Sequence, residues 1–298
     1  IDVHIASFRP ARMDCVTIPV LPTGGLGRLG YFLAVPVLRQ LARQLRPDVV
    51  HAQYVTSYGF LAALARLHPL VVTAWGTDVL ISPRESRLLR WFAAVALKYA
   101  DAITTVAQHM NGAVHELIGP QAEVVAVPFG VDTKRFRLPE TPRPPREVLR
   151  LICTRNFGPI YSVHTLIEAL AAIAERGLML DVDLVGQGPL REELEQLVAR
   201  RGLSDRVTFH GHVTHDRLAQ MLADSDIFVT PALSDGNNVS LNEAMACGAF
   251  PIATNIPANA QWIDDGHNGL LYPGADVDAL AAAIVRAASD SGLRERAA

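Results

Sequence analysis

Along the whole chain, short β-branched apolar runs alternate with longer stretches whose apolar positions recur at helical period. That alternation is the pattern of parallel strands joined by crossover helices, and it predicts an α/β fold. In the first half strands are expected at Val3–Phe8, Val16–Val20, Val49–His51, Leu70–Ala74, Ala102–Val106 and Val124–Val127. Helices are expected at Tyr31–Leu45, Tyr58–Leu67, Ser86–Tyr99 and Ala107–Leu117. The second half predicts strands at Leu149–Thr154, Leu180–Val185, Val207–His210, Ile227–Thr230 and Phe250–Ala253. Its helices are expected at Val163–Arg176, Arg191–Arg200, His215–Ala223, Val239–Cys247 and Val277–Ser289. Between the halves, Leu138 to Arg146 reads LPETPRPPR, and its prolines cannot supply the donors of a ladder or a helix interior. This break divides the chain into a first domain, residues 1–137, a linker, 138–148, and a second domain, 149–298. Ligands of doubly wound folds bind at the carboxyl ends of the strands, so the active site is expected in a cleft between two such sheets.

Composition narrows the function. A chain of 298 residues is long enough for two cores. With half its residues apolar and 19% charged, it reads as packed and enzyme-like rather than disordered. A net charge of −3 gives no electrostatic reason to bind nucleic acid. Cys15, Cys153 and Cys247 are odd in number and lack C-x-x-C spacing, as expected of reduced thiols in a cytoplasmic protein. No apolar run approaches the ~20 residues of a membrane span. Trp91 to Leu97 is already bounded by Arg90 and Lys98.

The most informative segment is Ser234-Asp235-Gly236-Asn237-Asn238-Val239-Ser240, which follows an expected strand and runs into a helix carrying Glu243. A strand, a polar glycine turn and a helix start make an anion site, because unpaired N–H groups and the positive helix end face the ligand. Asp235 in the loop and Glu243 on the helix can then reach opposite ends of one ligand. The same residues also fit an ordinary N-capped helix after an Asp-Gly turn, with Glu243 in solvent.

Three other patterns compete. Gly25-Leu26-Gly27-Arg28-Leu29-Gly30 fits G-x-G-x-x-G, but Leu21-Pro22-Thr23 separates it from a strand and Asp48 begins its strand instead of ending it. A nicotinamide site is therefore not expected. His210, His212 and His215 have metal-like spacing across a strand-to-helix boundary, with no cysteine or carboxylate cluster beside them, and no metal is expected. Helix Ser86–Tyr99 carries Arg87, Arg90 and Lys98 with Trp91 and Phe92, which fits peripheral contact with an anionic membrane surface or, more simply, basic side chains lying over a core.

D-G-N-N-V-S-L-N-E-A-M-A-C-G, Asp235 to Gly248, resembles the donor-site motif of the retaining glycosyltransferase family 4 (glycosyl transferases group 1), which has the GT-B fold of two Rossmann-like domains with parallel sheets facing across a cleft. Further matches cover nearly the whole chain: Val127-Pro128-Phe129-Gly130-Val131-Asp132, Leu184-Val185-Gly186-Gln187-Gly188-Pro189, Val207 to Val213, and Asp264 to Leu271. The resemblance implies that Glu243 holds the ribose hydroxyls of a nucleotide. It implies that Asp235 and the amides of Gly236, Asn237, Asn238 and Val239, with Ser240 beside them, hold the transferred sugar. Gly186 would belong to the strand-to-helix glycine turn, and His212 and Val213 would lie near the base. Arg155, at the end of the second domain's first strand, would face the diphosphate, and Arg155, Asp235 and Glu243 would form the reacting centre.

In the first domain Trp75-Gly76-Thr77-Asp78 resembles the family's His-Gly-x-Asp, with the Gly76 amide approaching the sugar, the Trp75 ring read as structural, and Asp78 accessory. His51 either faces the acceptor or is a satisfied buried histidine. Three positions depart from the family pattern: Asp235 stands where Glu is usual, Trp75 where His is usual, and Ile160 where a lysine is common. Tyr161 next to it is a candidate hydroxyl donor. The family's first strand with its Gly-rich loop has no counterpart here, so the first domain is expected to lack it. The implied activity is metal-independent, retaining transfer of a hexose-type sugar from a UDP-, GDP- or ADP-linked donor to a glycan, lipid or small-molecule acceptor, with no cofactor beyond that substrate. A nucleotide-sugar epimerase of the same fold, or a non-catalytic nucleotide-sugar-binding relative, is the alternative.

Overall fold

The computed structural model describes residues 2–297 apart from 9–15, 17–18, 23–26, 142 and 144–145, with residues 27–29 described in backbone only. Cys15 and the first residues of the G-x-G-x-x-G stretch therefore lie outside the described residues. The chain forms two compact units, residues 1–128 and 129–298.

The first unit holds four parallel strands in chain order: β1 (Val50–Gln53), β2 (Leu70–Ala74), β3 (Ala102–Thr105) and β4 (Val124–Ala126). Register pairs Val50 with Leu70, Val71 with Ala102 and Ile103 with Val124. Because strand side chains alternate between faces, Leu70, Val72 and Ala74 point into one core with Ile103. That core is closed by helices Phe60–Ala65, Arg87–Tyr99 and Asn111–Ile118. Ser86 caps the middle helix, its Oγ accepting from Leu89 N at 3.4 Å. On this helix Phe92 stacks on Phe60 at 4.0 Å, and Trp91, 55% exposed, meets the same ring edge-on at 5.6 Å.

Of the strands expected at Val3–Phe8 and Val16–Val20, the described residues form no strand of the sheet and pair only at isolated bridges, Ser7 with Val20 among them. Pro19 and Pro22 supply no N–H in this stretch and Val3 and Val20 are exposed, while Ala6 and Phe8 pack against Leu21, Ala34 and Leu61, so the segment has apolar burial but no ladder among its described residues. The helix expected at Tyr31–Leu45 begins as a 3-10 turn, Gly27–Leu33, and becomes α-helical over Ala34–Leu45.

The second unit has six parallel strands in the order β10-β9-β8-β5-β6-β7. They are β5 (Arg150–Cys153), β6 (Asp181–Val185), β7 (Val207–Gly211), β8 (Ile227–Thr230), β9 (Phe250–Thr254) and β10 (Leu270–Tyr272). β8 and β9 are buried throughout, as near-continuous apolar runs in a doubly covered sheet should be. Alternation sends Leu151, Ile227 and Val229 to one core, under helices Val163–Ala174, Arg191–Arg200 and Val277–Ser289. It sends Ile152 and Phe228 to the other, under His215–Ala223 and Val239–Ala246. Cys153 and Cys247 are buried thiols, and burial pushes their pKa values up to about 12 and about 11, which leaves them unreactive.

The described residues between 129 and 148 belong to this second unit. Phe136 is buried beside Ile152 and Phe228. Arg143 lays its guanidinium on the carbonyls of Ala223 (2.8 Å), Gly248 (2.8 Å) and Cys247 (2.7 Å). These oxygens lie at the C-terminal ends of two helices, where unsatisfied carbonyls and the negative end of the dipole favour a cation. Arg143→Ala leaves them without a partner and is expected to destabilise the second unit by about 2–4 kcal/mol, read as a shifted midpoint in urea unfolding.

Candidate functional site

The chain enters the second sheet at β5, builds outward through β6 and β7, then returns to lay β8 on the other side of β5. The order reverses there. The segments leaving β5 and β8 run to helices on opposite faces, which opens a crevice at the carboxyl ends of these two strands. Arg155 follows β5 and Ser234–Asn238 follows β8, so the topology brings the predicted residues together.

The segment after β5 is shaped by glycines in the segment after β6. A Cβ on Gly186, whose φ is +156°, would stand 2.1 Å from the Arg155 carbonyl oxygen, and one on Gly188 would stand 2.4 Å from that of Phe157. Phe157 N donates to Gln187 O at 2.9 Å, and Leu190 N donates to Phe157 O at 3.0 Å. The role of Gly186 in this structure is thus to let one backbone lie against another and fix where Arg155 emerges.

Arg155 is buried. Its Nε donates to Thr230 Oγ1 at 2.9 Å, its Nη2 lies 3.1 Å from Asp235 Oδ2, and its guanidinium lies 5.8 Å from the Tyr161 ring centroid. The contact with Asp235 is ionic but not aligned as a hydrogen bond, since Nη2 has no hydrogen-bond partner. Two groups expected to face different parts of a ligand therefore face each other.

Asn238 caps the following helix. Its Oδ1 accepts from Leu241 N at 3.1 Å, and its Nδ2 donates to Asn259 Oδ1 at 2.7 Å and to Thr230 Oγ1 at 3.4 Å. Its side chain is fully buried and committed to the fold. The Val239 amide turns back to Asn237 O at 2.9 Å, whereas the amides of Gly236, Asn237 and Ser240 make no backbone hydrogen bond among the described residues. Asn237 is 7% exposed, and neither atom of its side-chain amide has a partner. An orphaned buried amide costs about 1–3 kcal/mol for each lost partner, which makes it a group awaiting a ligand.

Glu243 projects from this helix half-buried and makes no hydrogen bond or ion pair among the described residues. Burial raises its pKa from 4.5 to about 7, and the positive charge of Arg155 acts in the opposite direction. The carboxyl is thus poised to gain a donor, and hydroxyls are the donors that would stabilise its ionised form.

The remaining predicted residues are dispersed. His212 is exposed beyond β7, and Val213 packs against the core of Ile152 and Phe228. His210 Nε2 bonds Asp183 Oδ1 at 2.6 Å, and among the described residues no group of three His, Cys, Asp or Glu is arranged to hold a metal ion. In the first unit Asp78 is fully buried and accepts from Val55 N (2.7 Å), Gly76 N (2.9 Å) and Trp75 N (3.0 Å), tying two loops. Burial raises its pKa, and those amides oppose the rise. The Gly76 amide is therefore occupied by Asp78, and Gly76 itself adopts φ +146°. The Trp75 ring, expected to pack as a structural element, is 44% exposed and donates from Nε1 to Gln53 Oε1 at 2.7 Å. His51 is not a buried histidine: it sits at an exposed position, its Nε2 2.5 Å from Thr73 Oγ1, and partial desolvation lowers its pKa. Sequence reasoning missed Thr230 and Asn259, which anchor Arg155 and Asn238. A threonine ending the apolar run Ile-Phe-Val-Thr was the available signal for the first.

Residues 149–290 match the model of the family "Glycosyl transferases group 1", and residues 1–107 that of "Glycosyl transferase 4-like". The chain is 30% identical over 261 residues to the GDP-mannose-dependent alpha-(1-6)-phosphatidylinositol monomannoside mannosyltransferase of Mycobacterium tuberculosis, covering 80% of this chain and 67% of that protein. It is 26% identical over 274 residues to the N-acetyl-alpha-D-glucosaminyl L-malate synthase of Bacillus anthracis, covering 86% and 69%. The structure of Anabaena HepE in complex with UDP-glucose matches with a TM-score of 0.82 at 20% identity, over 99% of this chain and 84% of that one. The chain belongs to the group 1 glycosyltransferases, with the GT-B fold, and is a glycosyltransferase that takes its sugar from a nucleotide sugar. No helix among the described residues is long and apolar enough to cross a membrane.

Two outcomes test this geometry. Gly186→Ala must separate two backbones and is expected to destabilise the second unit by about 2–4 kcal/mol in chemical denaturation. For Glu243 the folded chain keeps, between pH 4.5 and about 7, a proton that the unfolded chain sheds, so stability falls as pH rises through that window. Glu243→Gln should then be more stable than the parent by about 1 kcal/mol at pH 8, after allowance for solvent screening, with the gap closing near pH 4–5 in parallel melts.

Proposed function

We propose that this chain transfers a hexose-type sugar from a UDP-, GDP- or ADP-linked donor to a glycan, lipid or small-molecule acceptor, with retention of configuration and without a metal. The donor lies in the crevice of the second unit and the acceptor is bound by the first unit. One observation carries the donor assignment. A buried arginine, free amides at a helix start and a half-buried carboxyl without a partner converge at the switch point of a doubly wound sheet. A nucleotide sugar offers each its complement: diphosphate for Arg155 and the amides, ribose hydroxyls for Glu243, sugar hydroxyls for Asp235 and Asn237.

In this reading Glu243 and Asp235 bind and do not shuttle protons. The acceptor attacks from the face the diphosphate leaves, and a departing phosphate oxygen takes the acceptor proton. Preorganised donors offset the developing charge: Arg155, the helix start and, where family members carry a lysine, Tyr161 beside Ile160. Support comes from the family membership and from relatives whose names specify GDP-mannose dependence or whose structures hold UDP-glucose.

The test is a calorimetric screen of nucleotide sugars against the parent and Glu243→Ala. The substitution should weaken binding at least tenfold, since it removes the acceptor for two hydroxyls. Unchanged affinity in the variant, or no nucleotide sugar bound by the parent, would sink the donor-site assignment. Turnover in excess EDTA checks metal independence.

A further inference from the structure

In the crevice the arginine expected to meet the diphosphate is held by a carboxylate: Arg155 Nη2 lies 3.1 Å from Asp235 Oδ2, with both side chains largely buried. Thr230 holds the Nε of the same guanidinium at 2.9 Å. Asp235 makes no other ion pair or hydrogen bond among the described residues. Any anion that takes Arg155 must therefore displace Asp235 or share the cation with it, and either leaves a second negative charge close by in a poorly solvated place.

The two ligands of a sugar transfer differ on this point. An intact nucleotide sugar has its terminal phosphate oxygen esterified, and its sugar brings hydroxyl donors that satisfy a displaced carboxylate. The nucleoside diphosphate left after transfer has an additional ionisable oxygen on that phosphate, and nothing in it donates to Asp235. Asn237, two residues on from Asp235 and with both amide atoms unpartnered among the described residues, separates them in the same direction, because a sugar hydroxyl can both donate to and accept from an amide whereas an ionised phosphate oxygen only accepts.

We propose that Asp235 is a specificity residue that sets donor against product: it weakens retention of the bare nucleoside diphosphate by competing for Arg155, and sugar hydroxyls relieve that competition in the donor. The inference rests on the donor-site reading above. It gives the one-methylene-shorter acid a role, since from this position Asp235 reaches the buried guanidinium directly.

The experiment compares UDP, GDP, UDP-glucose and GDP-mannose by calorimetry against the parent and Asp235→Asn, with folding checked by circular dichroism and melting. The expected result for Asp235→Asn is a nucleoside diphosphate bound about five- to tenfold more tightly, and a nucleotide sugar bound no more tightly than by the parent. Preference for donor over product then falls by at least that factor. A purely structural role would weaken both ligands together, and diphosphate affinity equal to or below the parent's overturns the proposal. Should Asp235→Asn fail to fold, Asp235→Ser removes the same charge and is held to the same outcomes. Absence of any nucleotide binding by the parent is a separate result, which overturns the donor-site reading and this inference with it.

Discussion

The site of the second unit depends on a close approach of two backbone segments. The segment after β5 can lie against the segment after β6 because Gly186 and Gly188 have no side chains to hold them apart. That contact sets where the chain turns after Cys153, and so where Arg155 emerges into the crevice. Thr230 at the end of β8 receives the guanidinium and, through its hydroxyl, also meets the cap residue Asn238. One hydroxyl therefore joins the two sides of the switch point. Asn259 completes the link, donating to Thr254 O at 2.9 Å while its Oδ1 accepts from Asn238. The helix that presents Glu243 is anchored at its start by its cap Asn238, by Thr230 at the end of β8 and by Asn259 on the helical turn Pro257–Ala260.

This arrangement separates the residues that build the crevice from those left open to a ligand. Gly186, Asn238 and Thr230 are saturated by the fold. Asn237 and Glu243 are not: among the described residues neither side chain has a hydrogen-bond partner. A half-buried acid whose pKa burial raises to about 7 and an amide with nothing to bond among the described residues are both destabilising, and both lie on the same short loop-helix segment. The first unit shows the contrary case in Asp78, a fully buried acid satisfied by three amides, whose role is to hold its loop in shape.

Much of the second unit was legible in the sequence because its strands are buried on both faces and its helices are amphipathic or well capped. Ile227–Thr230, Arg191–Arg200, His215–Ala223 and Val277–Ser289 fall where the pattern puts them. β10 was missed because three residues, Leu270–Tyr272, carry no periodicity. The opening segment was misread for the opposite reason. Val3 to Phe8 has the composition of a strand, but composition is not a partner strand, and its described residues make isolated bridges at His4 and Ser7 without a ladder. At the site, the sequence identified the loop and its carboxylates but not their pairing. That Arg155 faces Asp235 depends on strand order, which places residues eighty positions apart in one crevice, and no local pattern encodes that order. The exposure of Trp75 was hidden similarly, because an aromatic after an apolar strand has the same composition whether its ring turns in or out.

The clamp made by Arg143 bears on how the connecting segment can vary in length. Its guanidinium is fixed to the ends of two helices by three carbonyl contacts, while the residues before it, Leu138 to Glu140, are largely exposed. Between Phe136, which is buried in this unit's core, and Arg143, insertions or deletions change the length of the exposed stretch at Leu138 to Glu140 and leave the clamp intact. The same changes between Arg143 and β5 would pull the guanidinium off its carbonyls, since Arg150 already stands in register with Asp181. Length variation among related chains should therefore collect on the amino-terminal side of this arginine, and the span from it into the sheet should hold its count.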